Sequence, residues 1–252
     1  MKKKIVLKVG SSTLTSGTDR ISYAKIEDLA RQIVVLREEY DIIIVSSGAI
    51  AAARQMLDIS DGSLAVDSKQ ALAAIGQPKL MNIYDEVFTS MGCKVAQCLL
   101  VYRDIEQEVS KVNIKNTVDR LLEMGYTPII NENDTVAVDE IVLGDNDKLS
   151  AYVAIITGAQ LLVLASDIRG LYITDPRLDP DAQLLQEVRN IAEVEKYVSH
   201  EKSPQGTGGM ATKLQAAQLC LNHGIEMWIT YGKEDYFLID ALQGKVPFTR
   251  FH

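Results

Sequence analysis

Cysteine is scarce in this chain of 252 residues, which carries only Cys93, Cys98 and Cys220. An odd count at wide spacing fits neither a disulfide framework nor a four-ligand zinc site. A reducing compartment, the cytoplasm, is the simplest setting. Histidine is as rare, at His200, His223 and His252, and none lies near another candidate metal ligand in sequence. No structural metal is expected, and His223 before Gly224 reads as a helix C-terminal residue. No Gly-x-Ser-x-Gly is present, and no Ser/His/Asp arrangement is readable. Long apolar runs are also missing. None approaches the roughly 18 residues of a membrane span. Met1–Lys4 looks like the charged start of a signal peptide, but Ile5-Val6-Leu7 is cut short by Lys8, so no signal is expected. Positive charge is outnumbered, with 26 Lys and Arg against 34 Asp and Glu, a net −8. That disfavours nucleic acid or an anionic membrane as the main partner. It leaves anionic substrates open, because a local basic site can sit inside an acidic protein. Trp228 and the scattered tyrosines read as core rather than as base-stacking platforms.

What is present is ordinary globular composition, 47% apolar and 24% charged. The length allows one large α/β domain or two small ones. Short apolar runs, each closed by small or polar residues, recur along the chain. Ile5–Val9 ends in Gly10-Ser11-Ser12, and Ile42–Val45 ends in Ser46-Ser47-Gly48. Val95–Val101, Thr127–Ile130, Leu161–Ala165 and Ile225–Thr230 read the same way. Helical patterns lie between them: Tyr23–Glu39 behind a Ser22 cap, Ile50–Leu57, Val66–Ile75, Lys79–Met91, Lys111–Met124 stopping at Gly125, Asp145 to Thr157, and Ala211–Asn222. Val136–Leu143 alternates like a hairpin. Strands alternating with helices predict a mostly parallel sheet covered on both faces, a three-layer α/β/α sandwich. The polar stretch Asp175–Gly209 reads as an excursion from one core rather than a boundary. Residues 1–252 are thus expected to form a single domain.

Open parallel sheets bind ligands beyond the carboxyl ends of their strands. Lys8 stands at such an end, beside Gly10, Ser11 and Ser12. A lysine in an apolar strand is costly to bury unless it meets an anion, although an edge-strand lysine pointing to water fits equally. Gly206-Thr207-Gly208-Gly209-Met210-Ala211-Thr212-Lys213 runs into a helix. Such a loop is an anion cradle with Lys213 as a point charge, or simply a surface loop. It is neither a Walker A motif nor a dinucleotide fingerprint. Gly144-Asp145-Asn146-Asp147-Lys148-Leu149-Ser150 holds more acid than a helix cap needs. A carboxylate there could orient two lysines or face a phosphate-bound metal. Asn131-Glu132-Asn133-Asp134 is either a polar turn or a clamp for an ammonium and a carboxylate.

Taken in order, these segments resemble glutamate 5-kinase, in the amino acid kinase superfamily. Val45–Ala52, Gly170-Leu171-Tyr172 and Asp175-Pro176-Arg177 add to the likeness, which runs from about Ile5 to Phe251. Ser166 stands where threonine is common, and Ala53 where glycine is frequent. The resemblance implies transfer of the ATP γ-phosphoryl group to the side-chain carboxylate of L-glutamate, the first step toward proline. It implies that Lys8 and Lys213 flank the moving phosphoryl group and that Asp147 holds both. It assigns Ser47, Asp134 and Asn146 to glutamate. Lys8, Ser166, Asp167, Thr207, Gly208, Gly209, Met210, Ala211, Thr212 and Lys213 are assigned to ATP. Magnesium rides on the phosphates with no protein ligand assigned. A homo-oligomer and feedback inhibition by L-proline are implied as well. The C-terminal PUA domain that the family often carries is not expected within this chain. Another acid kinase of the same fold, such as an acetylglutamate kinase, and a non-catalytic amino-acid sensor are the alternatives.

Overall fold

The apolar run that opens the chain becomes strand β1, Lys3–Val9, in the middle of a sheet. A computed structural model describes the chain apart from residues 1, 60, 61, 63, 138–145, 177 and 198–208. β1 pairs in parallel with β2 (Tyr40–Ser46) on one side and with β5 (Leu161–Ser166) on the other. Covered on both faces, it needs apolar residues at successive positions, and Ile5, Val6, Leu7 and Val9 are all buried. The other strands are β3 (Lys94–Leu100), β4 (Tyr126–Glu132), β6 (Glu187–Val188), β7 (Glu226–Tyr231) and β8 (Thr249–Phe251). Among the described residues the order is β3-β4-β2-β1-β5-β7-β8-β6, and only the β7–β8 pairing is antiparallel. The strand order therefore reverses at β1, which opens a crevice beyond its carboxyl end.

Helices cover both faces. The short turn α1 (Ser11–Leu14), α2 (Tyr23–Leu36), α3 (Ala49–Leu57) and α4 (Val66–Ser90) follow the first two strands. Then come α5 (Tyr102–Glu106), α6 (Glu108–Glu123), α7 (Asn146–Thr157), α8 (Ile191–Val194), α9 (Met210–Asn222) and α10 (Phe237–Leu242). Side-chain alternation along β1 splits the core in two. Ile5, Leu7 and Val9 pack with α2, α4 and α10, whereas Val6 packs with α6, α7 and α9. Lys8 shares the parity of Val6 and so belongs to the α7–α9 side. The fold is an α/β sandwich around a mostly parallel sheet, as the alternation predicts.

The boundaries have local causes. The Ser22 hydroxyl accepts from the Lys25 N–H at 3.2 Å and caps α2. Gly125, with φ +77°, ends α6 in the left-handed conformation that favours glycine. One expectation fails. Val66–Ile75 and Lys79–Met91 are not two helices but the single 25-residue α4, with Pro78 inside it. A proline removes one helical hydrogen bond, about 3 kcal/mol in an exposed helix, and tertiary packing outweighs that here. Leu72, Ala73, Leu80, Ile83, Tyr84 and Phe88 are buried along the same helix, on both sides of the proline. The expected hairpin over Val136–Leu143 falls mostly on residues outside those described. Within the polar excursion, Tyr172 bridges Leu184, and Val188, Ile191 and Val194 return to the α7–α9 side of the core. All three cysteines are free thiols.

Candidate active site

The crevice beyond β1 collects an ion set. Lys8 Nζ lies 2.6 Å from Asp147 Oδ1, and Lys213 Nζ lies 2.9 Å from Asp147 Oδ2. Asp147, in the first turn of α7, is fully buried, and each lysine is 8% exposed. Three side chains far apart in sequence thus share one carboxylate, one oxygen per ammonium. Burial alone would push the Asp147 carboxyl up. The charges of Lys213 and Lys8, with their hydrogen bonds, overcome this and hold it well below the usual carboxylate range. The set therefore carries a net charge of about +1 with its positions fixed, and Asp147 stays ionised at any working pH.

The phosphate-binding expectation falls on the start of α9. Gly209 precedes the helix in extended backbone; the Thr212 N–H turns back to the Gly209 carbonyl at 3.2 Å, while the N–H groups of Met210 and Ala211 have no partner within the helix. Those groups and the helix dipole favour an anion, and Lys213 stands one turn in. Thr212 closes the turn by donating its hydroxyl to the Gly209 carbonyl at 2.8 Å. Thr207 and Gly208 lie outside the described residues. Ser166, at the end of β5, donates to Asp167 at 3.3 Å. The strand end beside them is tight: Thr13 donates to the Ala165 carbonyl at 3.3 Å, and a Cβ on Gly232 would come within 2.7 Å of Ala165 Cβ.

On the other flank, polar side chains form a connected chain. Asn146 Nδ2 donates to Ser47 Oγ at 2.8 Å and to Asn131 Oδ1 at 2.9 Å. Asn131 Oδ1 also accepts the Glu132 backbone N–H at 2.9 Å. Asn131 Nδ2 donates to Gln77 Oε1 at 2.9 Å. Ser47 is held by its own N–H to the Val9 carbonyl, which ties this flank to the end of β1. The structure brings Ser47 and Asn146 into contact. Asp134 lies in the turn after β4, and no hydrogen bond among the described residues links it to either of them. It is half-buried, and desolvation pushes its carboxyl up to about 6.

Two members of this chain escaped the sequence reading as site residues. Asn131 sat inside a recognised segment without a role. Gln77 had no signal except its place in Gly76-Gln77-Pro78, an interruption in an otherwise apolar helical pattern. Among the described residues, no group of three or more His, Cys, Asp or Glu side chains could hold a metal ion. A groove of about 310 Å³ lies elsewhere, toward the far end of α7, lined by Ile105, Val112, Tyr152, Ile155 and His223 among others. It contains no acid and none of the residues above.

The chain is also similar to known proteins. Residues 3–231 match the model of the amino acid kinase family. The glutamate 5-kinase of Dehalococcoides mccartyi (strain ATCC BAA-2266 / KCTC 15142 / 195) is 45% identical over 99% of this chain and 68% of that protein. That of Herpetosiphon aurantiacus is 46% identical over 98% of this chain and 68% of that protein. That of Clostridium tetani is 44% identical over 99% of this chain and 94% of that protein. Among solved structures, UMP kinase from Ureaplasma parvum superposes with a TM-score of 0.66 over the full chain at 20% identity, a likeness of fold alone. The matched family model and these relatives place the chain in the amino acid kinase family.

Proposed function

We propose that this chain transfers the γ-phosphoryl group of ATP to the side-chain carboxylate of L-glutamate. The products are γ-glutamyl phosphate and ADP, and the reaction opens the route to proline. The observation that carries the reading is the Lys8–Asp147–Lys213 set, lying between a helix N-terminus on one flank and a polar clamp on the other. A carboxylate attacking a phosphate brings two anions together. Such a transfer needs alignment and charge neutralisation more than covalent help.

In this reading the α9 N-terminus, from Gly209 through Lys213, receives the ATP phosphates together with Thr207 and Gly208. Ser166 and Asp167 take the nucleoside side. Lys8 and Lys213 flank the moving phosphoryl group, and their positive charge answers the charge that develops on its oxygens. Asp147 fixes where the two ammonium groups sit. It is not a base, because both of its oxygens are engaged and it stays ionised. None is needed, since the glutamate carboxylate is already ionised at neutral pH. Magnesium would be held on the phosphate oxygens and water, supplying further charge neutralisation. Ser47, Asn146 and Asp134 bind the amino acid. Cytoplasmic location, homo-oligomeric assembly and feedback inhibition by L-proline belong to the same proposal. So does the absence of nucleic acid and membrane partners, which the charge of −8 supports.

An ADP-release assay over L-glutamate, L-aspartate and N-acetyl-L-glutamate, with hydroxylamine trapping of the acyl phosphate, tests the reaction. Turnover and hydroxamate with glutamate are expected. Activity confined to either other acid overturns the assignment. Lys213→Ala is expected to lower kcat by about 10²–10³, as when one transition-state donor is removed, while thermal melting still shows a folded protein. Near-normal turnover would remove Lys213 from the chemistry.

A further inference from the structure

We infer that Gln77 contacts the acceptor amino acid, donating from Nε2 to its α-carboxylate. This rests on the glutamate reading above.

The Glu132 backbone N–H can only donate, so the Asn131 atom that meets it is the carbonyl Oδ1. Asn131 Nδ2 then faces the other way, and Gln77 must answer it with Oε1. That leaves Gln77 Nε2, which can only donate, with no hydrogen-bond partner among the described residues. At the other end, Asn146 Nδ2 spends both hydrogens, one on Asn131 Oδ1 and one on Ser47 Oγ. Ser47 Oγ accepts there, so its own proton is free to donate. Asn146 keeps Oδ1 as an acceptor. The main-chain N–H of one residue therefore sets the polarity of the whole chain.

The groups left over match the head of an amino acid. Ser47 O–H and Gln77 Nε2 are donors and suit a carboxylate. Asn146 Oδ1 and the Asp134 carboxylate are acceptors and suit an ammonium. Backbone packing puts Gln77 on this site. Gly76 lies so close to α3 that a Cβ there would meet the Ala49 carbonyl oxygen at 1.8 Å. Ala49 is two residues beyond Ser47, so α4 delivers Gln77 against the segment that carries the serine. Gln77 is partly open to solvent rather than sealed in the core, as a ligand contact requires.

Two variants separate contact from support. Gln77→Ala removes both ends of the amide. Gln77→Glu keeps an oxygen to accept from Asn131 but replaces the donor with a negative oxygen. Both are expected to raise the glutamate KM, Gln77→Ala about 10-fold and Gln77→Glu more. The ATP KM and the melting temperature should stay near wild type. 4-Aminobutyrate keeps the reacting carboxylate and lacks the α-carboxylate. The preference of the wild type for glutamate over 4-aminobutyrate should shrink about 10-fold in Gln77→Ala. The inference is overturned if Gln77→Glu keeps a wild-type glutamate KM, which would leave Gln77 only supporting Asn131. An unchanged preference between the two acids in Gln77→Ala, or equal rises in the glutamate and ATP KM, also overturns it. Wild-type turnover of glutamate tests the reaction separately, so a chain inactive on glutamate refutes that reading rather than the variant comparison.

Discussion

Asp134 is held ionised at neutral pH in a place that disfavours its charge. Burial raises its carboxyl from the ordinary 3.8 to about 6, so between those values the folded chain binds a proton more readily than the unfolded one. Stability therefore gains as pH falls through 6 and is lost again as pH rises through it. Asp134→Asn removes the penalty. At pH 7.5 it is expected to stabilise the free protein by on the order of 1 kcal/mol, a modest figure because the group keeps some solvent, or a few degrees in Tm. The gain should fade below pH 6 and be gone below about 3.8. The same variant should raise the glutamate KM by about 10–100-fold, the loss of a charged hydrogen bond. In the wild type, kcat/KM for glutamate should fall as pH drops through about 6, since the neutral acid pairs poorly with an ammonium. Melts and kinetics across pH check both. Equal stability of the two proteins at pH 7.5 would contradict the penalty.

At the scale of elements, α4 shows where sequence reading succeeds and where it stops. Six strands were legible as short apolar runs, which burial on both faces demands of the central ones, whereas β6 and β8, two and three residues long, gave no such run. The helix ends at Gly125 and Gly224 were legible from backbone chemistry that glycine alone satisfies cheaply. Val66–Ile75 and Lys79–Met91 read as two helical patterns because local propensity is the only signal a sequence offers there. Packing on both sides of Pro78 overrides that signal. Gln77 was invisible for a related reason: its meaning depends on Asn131, 54 residues away. Gly76 carries the element-scale prediction. Alanine at an ordinary helix position gains up to about 1 kcal/mol over glycine. Here its Cβ would stand 1.8 Å from Ala49 O and 2.7 Å from Ala53 N, both backbone atoms. Backbone yields only by moving α4 away from α3, so overpacking, about 1–3 kcal/mol or more, outweighs propensity. Gly76→Ala is expected to lower Tm by several degrees and to raise the glutamate KM by withdrawing Gln77. A Tm at or above wild type would mean that α3 and α4 slide apart freely.

Across the whole molecule, the proposed nucleotide residues lie on the β5–β7–α9 side and the proposed glutamate residues on the β2–β4 side. The two flanks meet at β1, and Asp147 joins them by holding one lysine from β1 and one from α9. The motifs alone offered a carboxylate that could orient two lysines, and the resemblance named Asp147 for it; the geometry that puts one oxygen on each ammonium comes from the fold, which brings residues 8, 147 and 213 together. The depressed Asp147 carboxyl contributes stability that is present above its ordinary value of 3.8 and lost as pH falls through its folded value. Asp147→Asn leaves two buried ammonium groups without their carboxylate. Breaking a buried pair in this way costs about 3–5 kcal/mol, a Tm loss on the order of 10 °C for a chain of this size. Phosphates are the natural replacement for the missing charge. Magnesium-ATP should therefore raise the Tm of Asp147→Asn by at least as much as it raises that of the wild type. Its kcat should still fall about 100-fold or more, because the lysines are neutralised but no longer placed. Melts with and without nucleotide, set beside turnover, separate charge from position. A smaller nucleotide shift in the variant would show that Asp147 holds the phosphate site open rather than balancing it. Unchanged kcat would show that the two lysines need no aspartate to find their places.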